Sequence, residues 1–236
     1  MRLTLTLLIL AFTCSLAHGQ INLKAAYRLV ITDPTTFNGI IQEHNESIRL
    51  DTNMFYTNEF KDLKVMNGFD MGLRYKVSTV AVEVGWMHKR RQLRADGRRI
   101  NGNSFQNKIT TSMNSISAGL FPTFGPVSIG GTVEYNYLKI KNDFEEPSYY
   151  GDGTAGSTFK DQAWSSHFSV SYNFSNGGVL GVTIRPYIDI YWSEFDLTDF
   201  NQALNNPDSP PDSPLKETFA SWGISFILYN GPQPYR

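Results

Sequence analysis

Three residues of this chain, His167, Ser169 and Asp189, have the types a hydrolytic triad requires. These are a hydroxyl nucleophile, an imidazole to take its proton, and a carboxylate to orient the imidazole. His167 and Ser169 are two positions apart, so an extended strand puts them on one face, and Asp189 can meet them from the next strand. The same faces carry Lys24, Arg28, Arg74 and Arg185 against Asp70, Glu83, Glu134 and Asp189, four charges of each sign. So evenly matched a set also reads as a neutralising network inside a packed structure, with no chemistry to perform. Metal chemistry has no comparable support: His44, His88 and His167 fall on separate elements without ligand spacing, and neither a metal nor another cofactor is expected. Cys14 is the single cysteine and lies in the N-terminal apolar segment, which excludes a disulfide or a thiolate metal site from the remainder. A net charge of −1 gives no ground for nucleic-acid binding.

The elements that must hold these residues are strands with one apolar and one polar face. In residues 179–192, Leu180, Val182, Ile184, Ile188, Ile190 and Trp192 take one side of a two-residue period, and Thr183, Arg185, Tyr187, Asp189 and Tyr191 take the other. Eight such strands can be drawn, over 21–31, 65–77, 80–89, 109–121, 127–140, 163–174, 179–192 and 218–229. Short links at 78–79, 122–126 and 175–178 have turn chemistry. The other connections, 32–64, 90–108, 141–162 and 193–217, are long and polar, and are expected to be loops. Beyond residue 19 no apolar run is long enough for a membrane helix. The economical arrangement is therefore an all-β, eight-stranded antiparallel transmembrane barrel, with apolar faces towards lipid and matched charges in an interior that side chains can fill.

The lipid-facing set is clear on every strand but the fourth, where either Ile116, Ala118 and Leu120 or Met113, Gly119 and Phe121 can face out, with a bulge as a means of switching. Trp86, Trp164, Trp192 and Trp222 all fall on outward faces towards the long connections and form an aromatic girdle. Just beyond Trp86, residues 88–99 gather six basic side chains around Asp96. Of these, Lys89, Arg90, Arg91 and Arg94 are expected to touch lipopolysaccharide phosphates, which guanidinium forks suit. The loop at 193–217 is acidic and contains the repeat 207–214, two successive Pro-Asp-Ser-Pro units expected to be extended.

Residues 1–19 read as a signal peptide, with Arg2, an apolar run and Ala17-His18-Gly19 before the expected cleavage, leaving 20–236 as the barrel. A leader, eight strands, alternating short and long connections and a charged interior resemble the small outer-membrane barrels of the OmpX type and the transmembrane half of OmpA, over nearly the whole mature chain. The resemblance implies a bacterial outer-membrane location, short periplasmic turns, long extracellular loops and both termini in the periplasm. It also implies a non-enzymatic protein that binds through its loops or serves as a membrane subunit of a larger outer-membrane complex. Two departures stand out: there is no C-terminal peptidoglycan-binding domain, and residues 230–236 run past the last strand's aromatic end, displacing Phe226 and Tyr229 as an assembly signal. The rivals are a small channel and a lipid-modifying esterase or deacylase. His167-Phe168-Ser169 resembles the His-x-Ser pair of outer-membrane lipid A deacylases, but that pair faces lipid, whereas here the strand parity turns both residues inward.

Overall fold

The computed structural model describes residues 20–148, 151–174, 180–205 and 213–230. The expected leader, the turn at 175–178, most of the Pro-Asp-Ser-Pro repeat and the tail at 231–236 lie outside the described residues. In chain order the elements are β1 (Gln20–Thr32), α1 (Thr35–Leu50), β2 (Met54–Asn58), β3 (Val65–Val77), β4 (Val80–Arg99), β5 (Ser104–Phe124), β6 (Val127–Ser148) and β7 (Gly151–Asn173). There follow β8 (Leu180–Tyr191), β9 (Phe195–Asp196), α2 (Thr198–Asn205), β10 (Lys216–Glu217) and β11 (Ser221–Asn230).

Eight of these strands close an antiparallel ring, β1–β3–β4–β5–β6–β7–β8–β11 and back to β1. Closure is fixed by the first strand, where Tyr27 pairs with Phe69 of β3 on one side and Phe226 of β11 on the other. A closed ring leaves no unpaired edge in the hydrocarbon, where an orphan backbone group costs several kcal/mol. Around the lower barrel the outward residues are large and apolar, from Leu23 and Tyr27 through Phe69, Val84, Ile129 and Phe168 to Ile188 and Phe226, each roughly half exposed. The inward residues there are buried and mostly polar or charged, with Ala26, Ala81, Phe121 and Ile227 among them. That is the inverse of a soluble barrel, and it identifies a membrane-spanning one. No described helix is long and apolar enough to cross a membrane. The turn of β3–β4 is the two-residue Ser78–Thr79, with Ser78 at φ 53°, and that of β5–β6 is Gly125–Pro126, with Gly125 at φ 59°. The second turn is shorter than expected, because Phe124 still pairs with Val127.

The upper half corrects the expectation of four polar loops. Strands β4 to β7 are 20 to 23 residues long, about twice the roughly 9–11 needed to span, and pairing of β4 with β5 runs without a shift from Val80↔Pro122 to Arg98↔Ser104. Along them the polarity of the two faces inverts. Below, Val82, Val84 and Trp86 point out and Glu83 points in; above, Arg90, Gln92 and Arg94 are exposed while Leu93 and Ala95 are buried. On β5 and β6 the buried upper residues are Ile109, Met113, Leu138 and Ile140. This resolves the fourth spanning strand, β5: Ile116 and Leu120 face out, Met113 and Phe121 face in, and no bulge intervenes, since the surrounding solvent changes and the strand does not.

Those buried upper residues form one core with the connections that were expected to be loops. Helix α1 presents Phe37, Ile40, Ile41, His44 and Asn45 on one face, spaced three and four apart. They pack with Phe60, Leu63, Phe195, Leu197, Phe200 and Phe219 across the mouth of the barrel, each large apolar side chain contributing about 1.5–3 kcal/mol by burial. Phe37 stacks on Phe200 of α2 at 5.5 Å between ring centroids. Strand β2 adds to the upper edge of β4, and β9 and β10 form a small separate pair.

Candidate functional site

Two polar constellations and one charged surface are candidates for function, and all are positioned by the sheet. The first fills the lower lumen. Arg28 binds Asp70 at 2.7 Å, Lys24 bridges Asp70 at 3.0 Å and Glu83 at 3.3 Å, and Arg185 forks onto Glu83 at 2.8 and 2.9 Å. Arg185 also donates to Ser171 Oγ at 2.8 Å and Tyr229 Oη at 3.0 Å, and lies 4.4 Å over the Phe121 ring. Arg74 reaches Glu83 at 3.8 Å and sits over the Tyr229 ring. Glu134 lies 3.8 Å from Arg28. The phenol of Tyr229 donates to Glu83, so this residue faces the lumen and Phe226 alone of that pair faces lipid.

His167 and Asp189 are joined, with Nδ1 2.7 Å from Oδ1. A carboxylate only accepts, so Nδ1 carries the proton, and the Arg28 guanidinium 3.4 Å away directs its donors to Asp70, with Glu134 3.8 Å off as a second counter-charge. The expected third member of a triad is not joined to them: Ser169 Oγ and His167 Nε2 are both buried and neither has a hydrogen-bond partner among the described residues. Glu134, His167 and Asp189 do bring one ligand atom each within 4.8 Å of one another. Lys89 holds the Asp189 carboxylate at 2.7 Å and the Arg28 guanidinium lies 3.8 Å from Glu134, so a divalent cation there would compete with two bases already facing the group.

Lys89 corrects the sequence reading. It was expected beside Arg90 and Arg91 at a lipid surface, but β4 continues through it, and its parity with Met87 turns it inward. Its ammonium binds Asp189 at 2.7 Å, and Ser221 donates to the same oxygen at 2.9 Å. The lumen therefore holds five described bases, Lys24, Arg28, Arg74, Lys89 and Arg185, against Asp70, Glu83, Glu134 and Asp189. All are buried, and removing one partner from such a pair costs about 3–5 kcal/mol.

The second constellation clasps the cover over the mouth and went unnoticed in the sequence. His44 of α1 is 8% exposed. Its Nδ1–H donates to Asn205 Oδ1 of α2 at 3.2 Å, and its Nε2 accepts from Tyr56 Oη of β2 at 3.1 Å and Asn107 Nδ2 of β5 at 3.3 Å. Burial holds its pKa below the ordinary 6.5, against the opposing hydrogen bonds to Asn205 and Leu204. The Tyr56 phenol is pushed up to about 12 by burial. Helix α1 begins after Pro34 with no side-chain cap of its own. Glu217 supplies one from far along the chain, accepting from the backbone N–H of Thr36 at 2.7 Å and Phe37 at 3.1 Å. Desolvation raises the Glu217 carboxyl above its usual range.

The charged surface is the outer face of β4–β7 above the inversion. One cross-strand row reads Trp86, Ile116, Tyr135, Trp164; four residues further up each strand the row reads Arg90, Ser112, Lys139, Lys160. Arg90 and Arg94 are exposed on that face, Arg94 being paired with Asp96 at 2.9 Å; Arg91 is exposed as well but shares the strand parity of Lys89 and Leu93. Trp86, Trp164, Trp192 and Trp222 are all outward and 40–60% exposed, and the Trp192 N–H donates to the Trp164 carbonyl.

No protein-family model matches the chain, and no curated protein matches it in sequence. Solved structures that resemble it include Ail, the attachment invasion locus protein of Yersinia pestis, in complex with the heparin analogue sucrose octasulfate, at 11% identity and TM-score 0.38 over 91% of this chain and 99% of that one. Others are Neisserial surface protein A, at 8% identity and TM-score 0.33 over 90% and 98%, and the outer membrane protease OmpT from Escherichia coli, at 10% identity and TM-score 0.35 over 91% and 94%. From its own closure and inverted polarity, the chain is a small eight-stranded transmembrane β-barrel of the outer-membrane type, with a mouth covered by its own connections.

Proposed function

We propose that this protein is a non-enzymatic barrel of the bacterial outer membrane, with both termini in the periplasm, that works through its extracellular cover and sheet. The observation that carries this reading is the polarity inversion along unbroken strands, which leaves a lipid-covered lower belt and a charged upper surface on one rigid wall. Arg90 and Arg94 are the residues of the expected set that lie on the outer face and are assigned to lipopolysaccharide phosphates; Lys89 is withdrawn because Asp189 holds it inside, and Arg91 shares its strand parity. A larger outer-membrane complex is the alternative partner for the same surface. Catalysis is disfavoured by the missing contact between Ser169 and His167. A channel is disfavoured by the apolar core across the mouth and the ion-paired lumen beneath it.

The test begins with fractionation: the protein should sediment with outer membranes and run on unboiled gels as a compact, heat-modifiable species. Detergent-free solubility would sink the reading. Arg90 and Arg94 should then be replaced together by Glu. The fold should persist, since exposed charges contribute about 1 kcal/mol or less each. Copurified lipopolysaccharide should fall, with binding that weakens in salt. Unchanged lipid content with an intact barrel would transfer the surface to a protein partner.

A further inference from the structure

Lys139 falls near the end of the expected strand 127–140, and Lys160 in the connection 141–162 that was expected to be a loop. The register makes them directly opposed cross-strand partners on β6 and β7. Their neighbours Leu138, Ile140 and Ala163 are buried, so both ammonium groups belong to the outer face. Like charges placed opposite each other on a sheet are destabilising unless something neutralises them. Elsewhere on this face Lys108 is answered by Glu145 and Lys141 by Asp143, both at 2.7 Å. Among the described residues no ion pair is recorded for Lys139, Lys160 or Arg90, which share one cross-strand row. The two lysines also line a groove of about 570 Å³ between β7 and α2, together with Ser157, Thr158, Asp199 and Phe200. The hydroxyls add donors, and Phe200 gives an apolar wall. Among the described residues Asp199 is the one acidic side chain lining the groove, and it makes no salt bridge to either lysine.

Position narrows the ligand. From Tyr135 to Lys139, and from Trp164 to Lys160, is four residues, about 13 Å along the strand and roughly 10 Å in height for a strand tilted 35–45°. The aromatic row marks the lipid interface. An oxyanion at the lysines therefore stands well above the phosphates nearest the hydrocarbon, at the height of sugars in a tall headgroup.

We propose that Lys139 and Lys160 form a two-pronged site for a phosphate carried on a sugar of an outer-leaflet glycolipid, with Arg90 on the same row as a further contact. The proposal rests on the outer-membrane reading above and deepens it by placing a sugar-phosphate contact on the row of Arg90, four residues below Arg94 on the same wall. Phosphate is a matching partner for two ammonium groups because its oxygens accept from both at once.

The experiment uses the full-length protein purified in mild detergent. Three probes are titrated: lipopolysaccharide with phosphorylated inner-core sugars, the same material with those phosphates removed chemically, and lipid A alone. Wild type should prefer the phosphorylated form about tenfold, and the Lys139→Gln, Lys160→Gln double variant should lose that preference while keeping its affinity for lipid A. Asp199→Asn should strengthen binding of the phosphorylated form. An unchanged preference in the double variant would overturn the proposal. So would tighter-than-glycolipid binding of inorganic phosphate, which would make the site one for a free oxyanion. A third overturning result is Asp199→Asn weakening the fold with binding unaltered, which would make Asp199 the lysines' internal counter-ion. Failure of the outer-membrane reading itself is seen separately, as loss of heat-modifiable migration or of outer-membrane sedimentation in wild type.

Discussion

Arg185→Ala tests the lumen most directly. The guanidinium makes two bonds to Glu83, one each to Ser171 and Tyr229, and covers the Phe121 ring. Truncation leaves Glu83 without its forked partner in a site from which water is excluded. The general cost of such a break is about 3–5 kcal/mol. Two facts hold it to the lower end: Lys24 remains 3.3 Å from Glu83, and Arg74 remains 3.8 Å away. A loss of about 3 kcal/mol is therefore expected, against about 1 kcal/mol or less for Arg94→Ala, whose pair with Asp96 is exposed. The assay is equilibrium unfolding in detergent micelles or thin bilayers, followed by tryptophan fluorescence, with heat-modifiable migration as the second probe. Adding Glu83→Gln to Arg185→Ala should recover part of the loss, because the stranded charge is then gone, and the double-mutant cycle isolates the coupling. Equal and negligible effects of Arg185→Ala and Arg94→Ala would refute the packed network, and so would full additivity with Glu83→Gln.

Acidification should loosen the cover. The His44 pKa is depressed by burial, so its contribution to stability is complete above pH 6.5 and is lost as pH falls below that value. Glu217, raised by desolvation, acts in the opposite sense, since its protonation in the folded state adds stability as pH falls. Amide exchange in α1 should therefore quicken, relative to intrinsic rates, between pH 7.5 and pH 5.5, and His44→Gln should flatten that dependence; a wild-type profile already flat would exclude His44 as the clasp. Two glycines should part company: a Cβ on Gly223 would lie 2.0 Å from the Leu29 carbonyl and 2.8 Å from Tyr187 Oη, whereas one on Gly39 meets nothing within 4 Å. Gly223→Val should block barrel formation in refolding assays, and Gly39→Ala should stabilise α1 by about 0.5–1 kcal/mol. Planar-bilayer recordings should show small or no conductance, and deleting residues 35–50 should not create a steady pore, since the charged lumen below stays filled; a large stable current from either protein would mean the interior is not packed as described.

The lower barrel was legible because one physical rule governs it. Where lipid lies outside and packing lies inside, apolar and polar residues alternate, and Val182, Ile184 and Ile188 against Thr183, Arg185 and Asp189 declare the faces without ambiguity. The upper half was misread because the same two-residue period continues with its sign reversed. Leu93, Ala95 and Gly97 alternate with Arg94, Asp96 and Arg98 and are buried, yet a stretch so rich in arginine reads as a loop when membrane polarity is assumed throughout. Lys89 was misplaced for that reason, since the charge run hid its inward parity. The α1 signal was also present, in Phe37, Ile40, Ile41 and His44. Pro34 and an uncapped start concealed it, because the cap, Glu217, lies about 180 residues away. The clasp around His44 joins side chains from four elements, and no spacing in the chain announces that convergence.

The reversal of polarity along β4–β7 also fixes how deeply the molecule floats. A shift into the bilayer would carry Arg90, Lys139 and Lys160 towards hydrocarbon, where each cation costs up to about 2–4 kcal/mol at the midplane. A shift outwards would expose Trp86, Ile116 and Val133 to water. Both displacements are opposed by several strands at once, so the protein has one draught, and a bilayer of another thickness must deform to meet it. The cover is built on the same continuous strands and therefore rides at a constant distance from the lipid, whatever the membrane beneath it.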